Sequence, residues 1–378
     1  MRIDHVTPHF LPDVGGVESH VHQLARYLLS RGHEVVVHTS QHSPRRTRLP
    51  PAEVIDGITV RRYRNAVRLG YYATVFRPEI RGADLVHLHG YGHWSNDWSA
   101  RRASGSFPVV YSLHHGLANP SPTPMAAFRR DVYDRLIGFP TLRKSNLLVA
   151  ASQVDVEWLD QRDFEHPRVE VIPTGLEAAA FELGDAERGH TRANVESYVL
   201  FVGRLHREKS IDDLLRAFAS LAAKNLGLVI VGPDAGVRHS LESIAHDLHV
   251  ADRVRFLGEV DERTKRDLLA GCEVLVLPSF YESQGIVILE AWAQGRPVIA
   301  SRVGGVPYLV REGEDGLTYR WGYVRELSEI LASLLADPGR AARIGRAGQV
   351  RVRNEFAWEA IAPRFLTWYE TLFEEHKS

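Results

Sequence analysis

Short apolar runs alternate with helical hydrophobic patterns along the whole chain. Ile3–Thr7 and Tyr198–Val202 have the composition of buried strands, whereas Val17–Ser30 and Ile211–Lys224 carry apolar residues at helical spacing. Such alternation predicts βαβ units, in which parallel strands are joined through helices. The alternation occurs twice and is interrupted by the polar, acidic stretch Leu176–Ser197. We therefore predict two α/β domains with parallel sheets.

The composition is that of a soluble globular protein. The 378 residues are 44% hydrophobic and 25% charged, which rules out a disordered, collagenous or coiled-coil chain, and the length fits two or three domains. Cys272 is the single cysteine, so no intramolecular disulfide can form and a reducing compartment is expected. We expect no signal peptide, and no apolar run reaches the roughly 18 residues that span a membrane.

A net charge of −1 conceals an asymmetry between the two halves. Residues 1–150 contain 19 basic and 11 acidic side chains, whereas residues 151–378 contain 27 basic and 36 acidic ones. The basic excess lies almost wholly between residues 45 and 130, where every basic residue is an arginine. One interpretation is two differently solvated surfaces. The other is an N-terminal half that meets an anionic partner.

Two of the predicted strands are followed by residues suited to binding an anion. The first strand leads to Gly15-Gly16 and then to a helix. Glycines there let the backbone approach a ligand at the positive end of the helix, although a tight turn would have the same sequence. The strand Tyr198–Val202 leads to two cations, Arg204 and Lys209.

The two cations are the more informative signal. Ser210 and Asp213 have the spacing of a helix cap, which would place Lys209 at a helix N-terminus. Cations there repel each other and the helix dipole, so the arrangement makes sense if a diphosphate binds between Arg204 and Lys209. The alternative is a solvated basic loop in which Glu208 provides the countercharge.

The loop after the strand Val274–Leu277 carries the strongest pattern. Gly285 permits a turn whose backbone N–H groups face a ligand, and a helix then begins. Glu282 lies in the loop, and Glu290 lies five residues past Gly285, about 7.5 Å along the helix axis. Two carboxylates so spaced can accept hydrogen bonds from separate sets of sugar hydroxyls. The neighbours of Glu290 are mostly apolar, which weakens the interpretation of Glu290 as a solvated side chain.

Four motifs, in order, resemble the family 4 glycosyltransferases, which have the GT-B fold. They are Gly15-Gly16-Val17-Glu18, GRLHREKS at 203–210, the Glu282-x7-Glu290 pair and ASRVGGVPYLVREGEDGL at 300–317. The resemblance covers essentially the whole chain. It implies two doubly wound Rossmann-like domains that face each other across a cleft.

The resemblance also assigns a part to each segment. It implies an acceptor-side domain over residues 1–175 and a nucleotide-sugar-binding domain over residues 176–356, with a helix at 357–378 that packs back on the first domain. It implies retaining transfer of a sugar from a nucleotide-diphosphate sugar, a UDP- or GDP-sugar, with no metal or other cofactor. Two alternatives stay open: a GT-B-type nucleotide-sugar epimerase or hydrolase, and a non-catalytic sugar-nucleotide binder.

The site residues that the resemblance implies fall into a phosphate group and a sugar group. Arg204 and Lys209 would hold the diphosphate, Glu290 the ribose hydroxyls, and Glu282 the donor sugar. The backbone near the glycines of both loops would contact phosphate or sugar; these positions are Gly15, Gly16, Ser283, Gln284, Gly285 and Ile286. In one departure from the family, Gln284 stands where an aromatic residue is frequent.

A histidine after a first-domain strand completes the implied site. In VVYSLHHG, at 109–116, His114 matches the family position, with His115 as the second choice. A neutral imidazole there would hydrogen-bond a donor hydroxyl or the leaving group, whereas one of the two histidines has a structural role in the alternative interpretation. His87-x-His89 would share one strand face, but no cysteine, H-E-x-x-H motif or standard ligand spacing accompanies it, so we predict no metal site.

The acceptor is expected on the N-terminal domain, where arginines and aromatic residues are interleaved. The arginines are Arg61, Arg62, Arg64, Arg68, Arg77, Arg81, Arg101, Arg102, Arg129 and Arg130. This composition suits either an anionic membrane surface with a lipid-linked acceptor, or a soluble anionic acceptor such as a sugar phosphate. In the structural alternative, the arginines cover the helices beside the sheet and pair with nearby groups, and they bind no ligand. No nucleic-acid-binding module is recognisable, so we expect no nucleic-acid partner. We expect a cytoplasmic enzyme, which under the first interpretation of the arginines is peripheral at the inner face of the membrane.

Overall fold

The computed structural model describes residues 1–13, 15–42, 48–65, 67–69, 73–114, 117, 123–223 and 225–378. The chain forms two compact units. The first unit comprises Met1–Gly175 together with Trp358–Ser378, and the second comprises Leu176–Ala357.

The first unit is built on an eight-stranded sheet. Its strands and an added two-stranded ribbon are, in chain order, β1 (Arg2–Val6), β2 (Glu34–Ser40), β3 (Ala52–Ile55), β4 (Ile58–Tyr63), β5 (Val67–Leu69), β6 (Ala73–Val75), β7 (Leu85–His89), β8 (Val109–Ser112), β9 (Leu147–Ala150) and β10 (Val169–Val171). The spatial order is β10-β9-β8-β7-β1-β2-β4-β3, and β5 pairs with β6. Within the sheet, β3 and β4 pair antiparallel and the other neighbours pair parallel.

Helices cover both faces of this sheet, which is why strands such as β7 are buried along their whole length. They are α1 (Gly16–Ser30), α2 (Trp94–Ala103), α3 (Pro124–Tyr133), a π-helical turn (Asp134–Gly138), α4 (Phe139–Leu142), α5 (Gln153–Asp160) and the C-terminal helix (Trp358–Lys377). Val21 and Leu24 of α1 pack in one hydrophobic cluster with Phe365 and Tyr369 of the C-terminal helix. The last helix therefore belongs to the first unit through its apolar face.

The second unit has a six-stranded parallel sheet around a single large core. Its elements are α6 (Ala186–Ala193), β11 (Ser197–Val202), α7 (Ile211–Ala219), β12 (Leu226–Val231), α8 (Arg238–Asp247), β13 (Val254–Gly258), α9 (Glu262–Gly271), β14 (Val274–Leu277), α10 (Ile286–Ala293), β15 (Val298–Ser301), α11 (Val306–Leu309), β16 (Leu317–Tyr319), α12 (Val324–Ala336) and α13 (Pro338–Glu355), with 3-10 turns at Ala178–Phe181, Arg207–Lys209 and Ala251–Arg253. The spatial order is β13-β12-β11-β14-β15-β16.

Each sheet contains a point where the strand order reverses. In the first unit, β2 and β7 flank β1, and in the second unit, β12 and β14 flank β11. Ligands of open parallel sheets bind beyond the carboxyl ends of the strands at such points. The two parallel α/β sheets confirm the predicted fold class. Among the helices that the structure describes, none is both long enough and apolar enough to cross a bilayer.

Candidate active site

The loops after β11 and β14 leave the second sheet side by side. The two strands are neighbours, with Val199 opposite Val274. The loops are then tied together, because the Phe280 N–H donates to the Glu208 carbonyl oxygen at 2.7 Å. The structure thus brings the GRLHREKS loop and the Glu282 loop to one place, at the switch point of the sheet.

Lys209 and Glu282 form an ion pair across these loops. Glu282 also accepts a hydrogen bond from the Ser279 hydroxyl at 2.7 Å. Arg204, at the end of β11, is exposed. Glu282 thus supplies an anionic partner for Lys209 within the protein, and Arg204 extends the positive charge toward solvent.

The predicted cap at Ser210 is wrong. Ser210 precedes α7 with a left-handed φ of 45° and makes no side-chain capping bond. Its hydroxyl instead accepts a hydrogen bond from the Trp321 indole N–H at 3.0 Å. Lys209 lies in the 3-10 turn just before α7, because the chain tightens there before the α-helix begins.

Glycines shape the loop that precedes α10. Gly285 has a φ of 75°, a conformation that L-residues rarely adopt, and α10 begins at the next residue, Ile286. Gln284 and Gly285 are buried, whereas Ser283 is half-buried. Gly304 lies against this loop so closely that a Cβ there would be 2.0 Å from the Glu282 carbonyl oxygen. The second glycine-rich motif therefore supports the backbone of the first.

In the structure Glu290 has a partner, Lys265, that the sequence did not indicate. Its carboxylate accepts a hydrogen bond from the Lys265 ammonium of α9 at 2.8 Å, and both side chains are 18% exposed. Burial raises the pKa of Glu290, and the attraction of Lys265 opposes that rise. Lys265 lies in no motif, so only the packing of α9 against α10 could reveal it.

The Gly15-Gly16 pair stands at the start of α1 in the first unit. The helix begins at Gly16, which is exposed, and Gly15 is its N-cap residue. A Cβ at Gly15 would lie 2.5 Å from a carboxylate oxygen of Glu18. Burial raises the pKa of this Glu18 carboxyl. A side chain at position 15 would therefore have to displace the Glu18 carboxylate, which folds back over the same helix terminus.

His114 lies just beyond β8 and has a left-handed φ of 55°. Its Nε2 is 2.8 Å from Nδ1 of His89, and Nε2 of His89 is 2.9 Å from Nδ1 of His5. The ring of His20 meets that of His114 edge-on, with centroids 4.6 Å apart. The second choice, His115, lies outside the described residues.

These histidines bear on the prediction that there is no metal site. Two trios, His5, His87 and His89, and His20, His89 and His114, have ring nitrogens within 4.8 Å of one another, close enough to hold a metal ion. Apart from His87 and His89, these histidines lie far apart in the chain, so no short sequence spacing indicates the trios and only the fold brings them together. Both nitrogens of His89 and both of His87 make hydrogen bonds, those of His87 to a tyrosine and a serine hydroxyl.

Models of known protein families match the sequences of both units. The model of the Glycosyltransferase Family 4 matches residues 14–179, and that of the Glycosyl transferases group 1 matches residues 185–351. A D-inositol 3-phosphate glycosyltransferase of Acidothermus cellulolyticus is 32% identical over 99% of this chain and 90% of its own length. The chain belongs to the family 4 glycosyltransferases. A D-inositol 3-phosphate glycosyltransferase of Salinispora tropica is 30% identical over 99% of this chain and 85% of its own length.

Solved structures agree with this assignment. Sucrose-phosphate synthase from Thermosynechococcus elongatus superimposes on this glycosyltransferase with a TM-score of 0.81, at 25% identity and 99% coverage of both chains. HepE of Anabaena, solved with UDP and glucose, shares the fold with a TM-score of 0.77 at 20% identity, covering 98% of this chain and 100% of HepE. The predicted GT-B fold and glycosyltransferase activity are therefore confirmed, and the epimerase, hydrolase and binder alternatives are not favoured.

The arginines of the first unit do not form one surface of the glycosyltransferase. Arg62 is buried and pairs with Glu53, as the structural alternative expects. Arg77, Arg81 and Arg102 line a cavity of about 440 Å³ formed by the segments that precede β7 and β8. Charge counted along the chain therefore overstates how much positive charge faces a ligand.

Proposed function

We propose that this glycosyltransferase moves a hexosyl group from a UDP- or GDP-sugar to a hydroxyl group with retention of the anomeric configuration. The observation that carries the proposal is the Lys209–Glu282 ion pair at the switch point of the second sheet, on the loops that follow β11 and β14, the first of which also carries Arg204. Two cations at such a point suit a diphosphate. HepE, which shares the fold, was solved with UDP and with UDP-glucose.

Lys209 has two alternative partners in this proposal, Glu282 and the diphosphate of the donor. In the structure its ammonium is neutralised by Glu282, which is also hydrogen-bonded to Ser279. A donor diphosphate would take over Lys209 and leave Glu282, still hydrogen-bonded to Ser279, to accept a hydrogen bond from a sugar hydroxyl. Negative charge grows on the β-phosphate as the anomeric C–O bond breaks, and fixed cations stabilise that charge.

The remaining site residues hold the nucleotide and the reacting sugar. Glu290, which is paired with Lys265, accepts hydrogen bonds from the ribose hydroxyls. The backbone around Gly285 contacts the phosphates, and His114 hydrogen-bonds the sugar or the leaving group, as the family resemblance implies. The departing phosphate oxygen takes the acceptor proton, so the reaction requires neither a separate general base nor a metal.

The acceptor that we propose is an anionic hydroxyl compound, either a sugar phosphate or inositol phosphate, or a lipid-linked precursor at the inner face of the membrane. Support for a soluble anion comes from the names of the relatives, which are D-inositol 3-phosphate glycosyltransferases. Support also comes from the net positive charge of residues 1–150.

A second candidate property, contact with an anionic membrane, has its own support in the first unit. Met125, Phe128 and Leu136 are each about two-thirds exposed, and with Val132 they follow one another at helical spacing along α3 and the π-helical turn. Residues 124–144 hold five basic and two acidic side chains. An apolar stripe flanked by cations suits a cytoplasmic leaflet rich in anionic lipid.

A donor panel tests the proposed activity. The protein is incubated with UDP-, GDP- and ADP-sugars, with and without inositol phosphate or a lipid extract, and free nucleoside diphosphate is measured. We expect release from one UDP- or GDP-sugar that increases with acceptor, and a product whose anomeric configuration, read by NMR coupling constants, equals that of the donor. An inverted product contradicts retention, and acceptor-independent release supports a hydrolase.

Liposome co-sedimentation tests the membrane contact. Vesicles of phosphatidylcholine with phosphatidylglycerol should bind the protein at low salt, and the double variant Phe128→Ser with Leu136→Ser should lose this binding. Leu183 and Val350, which are 72% and 61% exposed in the second unit, provide a matched double serine control. Equal binding by both double variants, or none by the unaltered protein, would remove the proposal.

A further inference from the structure

Three arginines of the first unit surround one cavity, and the proposed donor site uses none of them. The cavity has a volume of about 440 Å³, which is within the range of small-molecule sites. Arg77 and Arg81 lie in the segment between β6 and β7, and Arg102 lies in the last turn of α2. The wall also includes apolar side chains, which are those of Ile80, Trp98 and Phe107.

The charge around the cavity is not balanced within the first unit. Glu79 is the one carboxylate among the described residues that line it, so three cations face a single anion. Glu79 is 3.6 Å from Arg81, but these side chains are 70% and 84% exposed, and such an ion pair contributes little. Within the part of the chain that the structure describes, no carboxylate is within ion-pair distance of Arg77 or Arg102. The cavity therefore has an excess of positive charge.

Two indole rings hold the guanidinium group of Arg77 in place. Its central carbon lies 4.9 Å from the centroid of the Trp98 ring and 5.7 Å from that of the Trp94 ring. The two indoles are four residues apart on α2 and nearly parallel, with centroids 5.5 Å apart. A guanidinium group that stacks on a ring uses its flat face, and its N–H groups point outward in its own plane. The stacking therefore leaves the donors of Arg77 available to a ligand.

The segment that carries Arg77 and Arg81 has an extended backbone fixed to α2. Exposed and more buried side chains alternate along residues 76–81, and both arginines are on the exposed side. The Phe76 N–H donates a hydrogen bond to Ser95 Oγ of α2 at 3.1 Å. Because this backbone is already ordered, less conformational freedom is lost when a ligand binds to its side chains.

A structural role accounts for one of the three cations. Arg102 is in the last turn of α2, where the helix dipole favours a positive charge. Arg77 and Arg81 lie outside the helices and strands, so the same reason does not apply to them. Like charges around a concave surface repel one another, and the low dielectric of its walls strengthens their field. An anionic ligand would offset this repulsion.

We propose that this cavity binds a phosphate ester, at a site separate from the donor diphosphate site of the second unit. Guanidinium groups donate paired hydrogen bonds that match phosphate oxygens, and a phosphate monoester can accept from several of them at once. The apolar wall contacts the carbon part of the ester. A soluble phosphate ester and a phospholipid headgroup share this chemistry, and the test separates the two sources. The proposal does not rest on the proposed transfer reaction.

Calorimetric titration of the full chain with glycerol 3-phosphate tests the soluble source. If the ligand is soluble, the ester binds at low salt and binds more weakly as NaCl is raised, because salt screens exposed charges. The cavity double variant, Arg77→Gln with Arg102→Gln, should then weaken binding about tenfold or more.

A control double variant removes the same charge outside the cavity. Arg26 and Arg31 are exposed residues of the first unit, and the guanidinium group of Arg31 lies over the Tyr27 ring at 5.1 Å. Arg26→Gln with Arg31→Gln should leave the Kd unchanged. If the loss of the Arg77 stacking prevents folding, Arg81→Gln with Arg102→Gln keeps that stacking and should also weaken binding.

Vesicle flotation tests the lipid source. Vesicles of phosphatidylcholine with phosphatidic acid present a phosphate monoester, whereas vesicles of phosphatidylcholine with oleate are negatively charged without one. If the ligand is a headgroup, the unaltered protein binds the phosphatidic acid vesicles more tightly at equal surface charge. The cavity double variant should lose this preference, and the control double variant should keep it.

The outcomes are distinguishable. Loss of glycerol 3-phosphate binding in the cavity double variant alone supports a soluble ester, and loss of the phosphatidic acid preference in that variant alone supports a headgroup. Neither binding nor preference in the unaltered protein, or an equal loss in the cavity and control double variants, overturns the proposal. Neither experiment contains a nucleotide sugar, so a failure here leaves the proposed transfer reaction standing.

Discussion

Replacing Lys265 by methionine removes the cation that faces the Glu290 carboxylate while keeping a similar side-chain length. The two groups are 2.8 Å apart and both are largely shielded from water. Glu262 also contacts Lys265 at 2.9 Å, but it is 77% exposed and its contribution is small. The variant therefore leaves Glu290 as a buried carboxylate without a countercharge.

The expected loss follows from the degree of burial. Breaking a fully buried pair by removing one partner costs about 3–5 kcal/mol, so a pair with a fifth of each side chain exposed should cost about 2–3 kcal/mol. That energy equals a further rise of roughly two units in the pKa of Glu290. A folded-state pKa raised above the unfolded one penalises the ionised form. Below the folded-state pKa of Glu290 the carboxyl group is protonated, and the variant should lose little free energy of unfolding. The loss should increase as the pH rises above that pKa and Glu290 ionises.

Native-state hydrogen exchange on α10 is the suitable assay, because a chain of two units need not unfold in one step. The opening free energy of the α10 amides is compared between the unaltered protein and Lys265→Met at pH 5 and pH 8. The single variant leaves the Glu290 carboxylate without a countercharge. The double variant Lys265→Met with Glu290→Gln removes that carboxylate, so it should recover most of the lost opening free energy at pH 8.

Two results would refute this reasoning. A loss below about 1 kcal/mol at pH 8 would mean that Glu290 is solvated rather than buried beside Lys265. A loss of equal size at pH 5 and pH 8, with no recovery in the double variant, would mean that packing of the lysine stem, and not charge, holds α9 against α10.

Four further predictions follow from single side chains. Lys209→Met should lower kcat about 100-fold, since the cation acts on the leaving phosphate, and should also lower the unfolding midpoint, because Glu282 loses its countercharge; unaltered initial rates contradict the catalytic role. Glu290→Ala should weaken nucleotide binding about tenfold or more by calorimetry, because it removes acceptors for the ribose hydroxyls; an equal Kd counts against the role. Burial raises the pKa of the Cys272 thiol to about 12, so iodoacetamide at pH 8 should modify it only on unfolding, and rapid labelling of the native protein would disprove its burial. Burial raises the pKa of Asp97 to about 6, so its ionisation opposes folding above that pH; in urea unfolding, Asp97→Asn should gain up to about 2–3 kcal/mol at pH 8 and less at pH 5, and a gain independent of pH would contradict this.

The sequence by itself determined the fold class and most of the second-unit site. The apolar strands that precede Gly203 and Pro278 are short, so a local pattern of residues along the chain predicts them. The loops that follow them carry the motifs around Lys209 and Glu282, and parallel strands place both loops at one edge of the sheet. A local pattern and a general rule of topology were enough to bring the two residues together.

The tertiary structure alone decided which groups face each other across elements. Lys265 meets Glu290 because α9 packs on α10, and no spacing in the sequence encodes that contact. His5, His89 and His114 are separated by 84 and 25 residues yet lie in one row. Neighbouring strands in a parallel sheet are joined by long crossovers, so residues that touch across the sheet lie far apart in the chain. Such contacts are set by strand order and register, which the periodicity of a single strand does not contain.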